Sequence, residues 1–544
     1  MKTHIQIAFL LFVFLPIMQA QQIGYPDELV TRAEKTLYQE TSMSQDVSNF
    51  IRVLSENCAF ASSETIGFTK EGRPMEIVIM ADPQISQASE AKKSGKPVIY
   101  IQGNIHAGEV EGKEGSLMLM RDIAFGTRKD LIENQIIIFC PNYNPDGNDK
   151  LGNTRRSQEG SPGLTGERAS GEGYDLNREG MKAEALEVKA LLEKVIIPWD
   201  PVLFVDLHTD NGSWHGYNVS VAPVYQSAGL PQITNYPGEN IFPDITKKVN
   251  ERSGIQVFWH GYLRMRDGEQ STFTAYSHLP RYMVNYMGLR NRMAILSETF
   301  AHDRFEKRIL SNYLLVTSIL EYTNEHGKEM LDLVRKSDEE TIRQIEQSNG
   351  SLEKGVRYEL SPRGDTIDML VRETVTEENS EGGRRMIRGT GKVFWTQDVL
   401  HLKNFVPEIS SRVPRGYIFP KELTSVVQKL EDHGIQLMEL EGNKKLEGEE
   451  FIISQFKQSE RESYGGHKTV SMEGDFKTAK KSFPKGSYYV DMAQPLAWLI
   501  FYLLEPQSDD GLVFWNYFDD YLIRNKVENG KLAYPVFKIY QALD

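Results

Sequence analysis

Apolar residues fall along this chain in two alternating textures. Short runs rich in Val and Ile, bounded by Gly, Pro or Asn, predict strands at 97–102, 135–140, 202–207 and 293–297. Between them, apolar residues recur at helical spacing and predict helices at 113–124, 181–194, near 243–252 and over about 304–325. Upstream, residues 28–58 read as helical and "ETIGFTKEGRPMEIVIM" as a hairpin. Strands alternating with helices predict an α/β fold, a mixed and mostly parallel central sheet flanked by helices. Past about residue 330 the texture changes. "KSDEETIRQIEQSNGSLEKG" is polar and reads as a linker or surface helix, and "VRYELSPRGDTIDMLVRETV" and "RRMIRGTGKVFW" read as hairpin strands. "GSYYVDMAQPLAWLIFYLLEP" reads as a strand leading into a buried helix. The chain therefore divides into a first unit over 21–328 and a smaller C-terminal α+β domain over 329–544, which reads as a packing module.

The first twenty residues stand outside both units. "MKTHIQIAFLLFVFLPIMQA" has an early lysine, an apolar core and a small residue before "QQ", the pattern of a secretory signal peptide. Its apolar stretch is too short to span a bilayer, as is "LAWLIFYLL" at 496–504, so an exported protein, secreted or periplasmic, without a membrane span is expected. At 544 residues, 40% hydrophobic and 25% charged, the chain has the composition of a multidomain globular protein. A net charge of −14 with no basic stripe excludes nucleic acid as a partner. The two cysteines, Cys58 and Cys140, are too few and too distant for a zinc–thiolate cluster, and read as buried free thiols rather than a disulfide.

Candidate chemistry collects where strands end. After "PVIYIQ" comes "GNIHAGEVEG", which places His106 and Glu109 three residues apart in a loose, Gly-containing turn. "VLFVDLHTDNG" ends a second strand with His208, and Asp206, two residues earlier, projects to the same face as that histidine. His106, Glu109 and His208 make the His₂Glu donor set of a catalytic zinc, with Asp206 either orienting the imidazole or anchoring the strand. "RMAILSETF" ends a third strand at Glu298, a carboxylate placed to take a proton from water. The Gly-rich "GERASGEGYDLNREG" adds Arg168, Asn177 and Arg178, whose guanidinium forks suit carboxylates and oxyanions.

This set resembles the M14 zinc carboxypeptidases, the metallocarboxypeptidase family, over about residues 30–325. "HAGE" matches the family's His-x-x-Glu motif, "DLHTDNG" its second zinc histidine and "ILSETF" the strand of its general base. "GERASGEGYDLNR" is similar to the arginine loop of the regulatory branch, with Arg168 nine residues before Asn177. "TKEGRPMEIVIM" and "PNYNPDG" resemble its early hairpin and a strand-end turn. The resemblance implies a zinc carboxypeptidase-like fold and one zinc ion per chain held by His106, Glu109 and His208. It further implies Glu298 as the base, Arg168 polarising the scissile carbonyl, and Asn177 and Arg178 binding the terminal carboxylate of a peptide. The family's mobile tyrosine, 22 residues before the base, falls on Tyr276, with Tyr282 and Tyr286 close by. The stretch "SHLPRYMVNYMGLRNR" departs from the digestive enzymes, and its Arg281, Arg290 and Arg292 either line the pocket or face solvent.

Three functions compete on these residues. The first is hydrolysis of the C-terminal peptide bond of a peptide with a free carboxylate. The second is a zinc amidase or endopeptidase acting on peptidoglycan stem peptides or N-acyl amino acids. The third, a non-catalytic peptide-binding relative, sits poorly with an intact ligand set and Glu298. Nothing in the chain sets an oligomeric state.

Overall fold

A computed structural model describes residues 24–153, 159–265, 270–378, 385–529 and 533–543. The leader expected over residues 1–20 lies outside the described residues. Eight strands form the central sheet: β1 (Ala61–Phe68), β2 (Pro74–Met80), β3 (Val98–Gly103), β4 (Ile136–Cys140), β5 (Leu203–Thr209), β6 (Val219–Ala222), β7 (Val257–Trp259) and β8 (Met293–Thr299). Their spatial order is β1-β2-β4-β3-β5-β8-β6-β7. The centre, β4-β3-β5-β8, is parallel, while β1, β2 and β6 run antiparallel to a neighbour. β3, β4 and β5 are buried along their whole length, which is why their sequences are continuous apolar runs rather than alternating ones. The fold is mixed α/β, with a large mixed sheet flanked by helices and further sheets beyond it.

Helices α1 (Ser44–Asn57), α2 (Glu111–Ala124), α3 (Phe242–Ser253), α4 (Met283–Leu289) and α5 (Phe305–Ser348) cover this sheet. α2 lies so close to β5 that a Cβ built on Gly112 would stand 2.6 Å from the Leu207 Cβ. The helix expected over 28–58 is broken instead. Leu37 and Tyr38 turn with positive φ, and Thr41 and Ser42 then bind the buried Glu114 carboxylate at 2.8 and 2.6 Å before α1 begins. A buried carboxylate needs such partners, and this need overrides helical continuity.

α5 is the larger departure. It runs for 44 residues, through the boundary expected at 328 and through most of the stretch read as a linker or surface helix, of which the helix is what forms. Its second half buries Met330, Val334, Ser337, Thr341 and Ile345, an i, i+4, i+7 stripe whose two polar members hid it. Thr341 earns its buried place by accepting from Asn291 at 3.0 Å and from the Trp498 indole at 3.2 Å.

Beyond α5, β9 (Asp365–Glu378) and β10 (Arg385–Leu402) form a long ribbon joined to the strand Thr272–Thr274 of the first unit. The C-terminal region also holds a six-stranded antiparallel sheet and α6 (Ala497–Leu504). Every residue of α6 is buried, so the apolar run at 496–504 is core. One apolar cluster extends from Leu29 to Val536, so the two parts share a core. Among the described residues no helix is long and apolar enough to cross a membrane. Cys58 and Cys140 are free and buried, and burial pushes the Cys140 thiol up to about 12.

Candidate active site

Three parallel strand ends and two loops meet at one cavity of about 180 Å³ at the carboxyl edge of the sheet. β3 delivers the turn carrying His106, which closes on itself through a Glu109 N–H to His106 C=O bond of 2.8 Å. β5 delivers His208, and β8 places Glu298 opposite it in register. Pairing of β8 with β5 thus sets the Glu298 carboxylate beside His208 before any side-chain contact is made.

The two histidines are presented alike. His106 Nδ1 lies 2.9 Å from Glu109 Oε1, and His208 Nδ1 lies 2.8 Å from Glu109 Oε2. The far nitrogen of each ring is held by a second carboxylate, His106 Nε2 by Asp175 at 3.1 Å and His208 Nε2 by Asp206 at 3.0 Å. One ligand atom from each of His106, Glu109 and His208 falls within 4.8 Å of the others, and among the described residues no other such trio converges. Two imidazoles and a carboxylate, with outer carboxylates fixing the ring tautomers, are a donor set that suits zinc. Burial alone would depress the His208 pKa, but the Asp206 and Glu109 carboxylates outweigh it and raise it well above the usual range. This point of the fold favours positive charge.

Arg168 reaches over the same cluster. Its Nη1 lies 3.1 Å from His106 Nδ1 and 3.8 Å from Glu109, while Nε and Nη2 grip Asp175 at 3.0 and 2.9 Å. Burial would raise the Asp175 carboxyl, but the hydrogen bond with His106 and the charges of His106, Arg178 and Arg168 hold it far below the usual range. Asn177 is buried on the opposite side, its amide nitrogen 3.5 Å from His208 Nε2 and its oxygen accepting from the Met283 N–H at 3.2 Å. Arg178 is nearly buried. It donates to the Asn177 carbonyl at 2.7 Å, packs over the Tyr282 ring at 4.2 Å, and has a buried Nε with no hydrogen-bond partner among the described residues.

Tyr276 and Tyr282 both line the cavity. Tyr276 is buried edge-on to Tyr282, and burial pushes its phenol well above the usual range. Tyr286 points elsewhere, its hydroxyl 2.8 Å from His433. The three arginines of this stretch neither line the pocket nor face solvent. Arg281 binds Asp510, Arg290 binds Tyr286 and the His433 carbonyl, and Arg292 binds Asp200 and Asp338, all in buried settings.

Two residues of the site were passed over in the sequence. Asp175 opens "DLNR" and holds both Arg168 and His106. His260 ends "VFWHG", its Nδ1 3.1 Å from Ser220 and its Nε2 4.0 Å from Glu298, and burial pushes it down to about 4. The signal for His260 was available, because it follows an apolar strand just as His106 does.

A family profile described as zinc carboxypeptidase matches residues 47–180. Carboxypeptidase 2 of Trichophyton rubrum is 22% identical over 91% of this chain and 86% of its own length. Carboxypeptidase D of Anas platyrhynchos is 35% identical over 20% of this chain and 8% of its own. Among solved structures, a metallo-carboxypeptidase from Burkholderia cenocepacia aligns at a TM-score of 0.39 with 20% identity, covering 52% of this chain and 69% of that one. Residues 47–180 thus match the zinc carboxypeptidases, a zinc-dependent family, and the chain as a whole is similar along most of its length to a carboxypeptidase.

Proposed function

We propose that the protein removes the C-terminal residue of peptides with a free terminal carboxylate, using zinc held by His106, Glu109 and His208 and Glu298 as general base. The observation that carries this reading is the convergence of that trio, Glu298 and the nearly buried Arg178 on one cavity. Similarity to carboxypeptidase 2 along 91% of the chain supports the same class of cleavage. The leader pattern of residues 1–20 supports export as part of it.

Zinc bound there supplies Lewis acidity, polarising a carbonyl and acidifying water at neutral pH. The chain's own groups divide the remaining work. The Glu298 carboxylate takes a proton from water and returns it to the leaving amine as the C–N bond breaks. Arg168, tethered by Asp175 beside Glu109, donates to the oxyanion that develops on the scissile carbonyl. Arg178 and Asn177 receive the terminal carboxylate, and a directional, charge-assisted contact fixes which bond lies over Glu109 and the histidines. Tyr276 and Tyr282 wall the cavity, excluding water and giving the cleaved residue an aromatic surface.

Cleavage of one peptide, free and C-terminally amidated, tests the reading with wild type and R178A. The free form should be cut faster by about ten- to a hundredfold, the cost of leaving a buried guanidinium unpaired. R178A should narrow that ratio. Equal cleavage of both forms by the wild type would reject it and favour the amidase or endopeptidase alternative.

A further inference from the structure

The C-terminal region touches the substrate loops at the point where the carboxylate would bind. Tyr464, from the turn "SYGGH", places its ring 5.0 Å from the Arg178 guanidinium carbon, which already stands 4.2 Å from the Tyr282 ring. The turn is closely built. Ser463 N–H donates to the His467 carbonyl at 2.7 Å, and Gly465 and Gly466 both take positive φ. A Cβ on Gly465 would stand 2.9 Å from the Tyr174 ring and 3.1 Å from the Lys182 amine, so the turn presses on both flanks of the Arg178 loop. His467 then pins it by binding Glu184 at 2.9 Å, six residues beyond Arg178.

These contacts are one of several of the same kind. The carbonyls of Met181, Lys182 and Ala183 accept from His433, Tyr517 and Lys429 of the C-terminal region. The loop carrying Arg178 has few backbone partners in the central sheet and is shaped from outside it.

We propose that Tyr464 is a positioning residue for this reaction, its ring holding the Arg178 guanidinium in the orientation that receives the peptide's terminal carboxylate. The proposal rests on the assignment of Arg178 to that carboxylate. A guanidinium held over aromatic rings is fixed without giving up its Nε to them, so that donor stays available to a planar anion while Nη1 is given to the Asn177 carbonyl. Arg178 is built for such a role, with a buried Nε that has no partner among the described residues. The C-terminal region thereby completes the substrate site instead of only packing against it.

Steady-state kinetics of the full chain test this, on one peptide in free and amidated form, with wild type, Y464A, Y464F, R178A and Y464A/R178A. Loss of a partly desolvated cation–π contact should raise KM for the free peptide about 3- to 30-fold in Y464A. The turnover number should stay within about twofold, as for any contact made equally in ground and transition states. Y464F should bring KM back toward wild type, and the double variant should be no worse than R178A alone. An unchanged KM in Y464A, or a Y464F as impaired as Y464A, would overturn the proposal. Should Y464A melt early, Y464L, which retains bulk without a π face, must show the same rise in KM at a wild-type melting temperature. The Arg178 assignment fails separately, if R178A leaves the preference for free over amidated peptide intact.

Discussion

Each histidine of the site is held between two carboxylates, and this fixes what single substitutions should do. His208 loses both Asp206 and Glu109 as partners when truncated, and the proposed zinc site loses one of its three donors. H208A should therefore purify without zinc, and metal analysis of the folded protein checks it; full occupancy would contradict the ligand assignment. E298Q removes a proton acceptor but no ligand. It should keep zinc and its melting temperature while hydrolysis falls by about 10²–10⁴-fold, the usual worth of a positioned acid–base group. R168A should lower turnover by about 10²–10³-fold, the cost of one oxyanion donor. A stronger effect on KM than on turnover would show that Arg168 serves binding instead.

Among the elements, α2 and β5 form the joint on which the positions of Glu109 and His208 depend. α2 starts just after Glu109, and its Gly112 rests against Leu207, the residue before His208. G112A forces a methyl to within 2.6 Å of the Leu207 Cβ, so strand and helix must part. It should cost about 1–3 kcal/mol, an overpacking penalty read by denaturant unfolding, and weaken zinc retention in parallel. A stable G112A with normal metal content would mean that the joint can yield. α5 illustrates what an element's sequence hides. Its first half was plain from apolar spacing, but in the second half Ser337 and Thr341 occupy the inward stripe, and only the Asn291 and Trp498 side chains make those positions dry.

For the whole molecule, the two parts are joined by polar contacts that are buried, not by a hinge. The pair joining the Tyr464 turn to the Arg178 loop has a defined pH window. The hydrogen bond with Glu184 raises the His467 pKa above the ordinary 6.5, against the effect of burial. Burial would raise the Glu184 carboxyl, but His467, with Lys182 and Tyr517, brings it from 4.5 down to about 2. The histidine contributes stability fully below about pH 6.5 and loses it as pH climbs through its raised folded value. The glutamate contributes above about pH 4.5 and loses it as pH falls toward about 2. Both contributions are complete only between these limits. H467Q should thus lower the melting temperature more at about pH 5.5 than at about pH 9, as scanning fluorimetry would show. Equal losses at both would mean that the imidazole is held neutral. A chain ended at residue 348 would keep every ligand yet leave Arg281 without Asp510 and Arg290 without the His433 carbonyl. Removing one partner of a buried charge typically costs about 3–5 kcal/mol, so that fragment should be insoluble or inactive. A soluble fragment with wild-type rates would contradict the shared core.

The sequence alone determined the early hairpin and the parallel centre of the sheet with the ends of its strands, but not β6 and β7, which are short. Covered parallel strands must be continuous apolar runs, and a His or Glu directly after such a run has no packing reason to be there. His106, Glu109, His208 and Glu298 were legible for that reason, and so was the order of the elements around them. Tertiary structure decided everything that depends on a partner distant in the chain. It broke the first helix, because Glu114 draws Thr41 and Ser42 to itself. It turned Arg281, Arg290 and Arg292 into buried ties, because Asp510, the His433 carbonyl and Asp338 meet them there. It brought Tyr464 to Arg178 across 286 residues of chain, and no local pattern in either segment encodes that meeting.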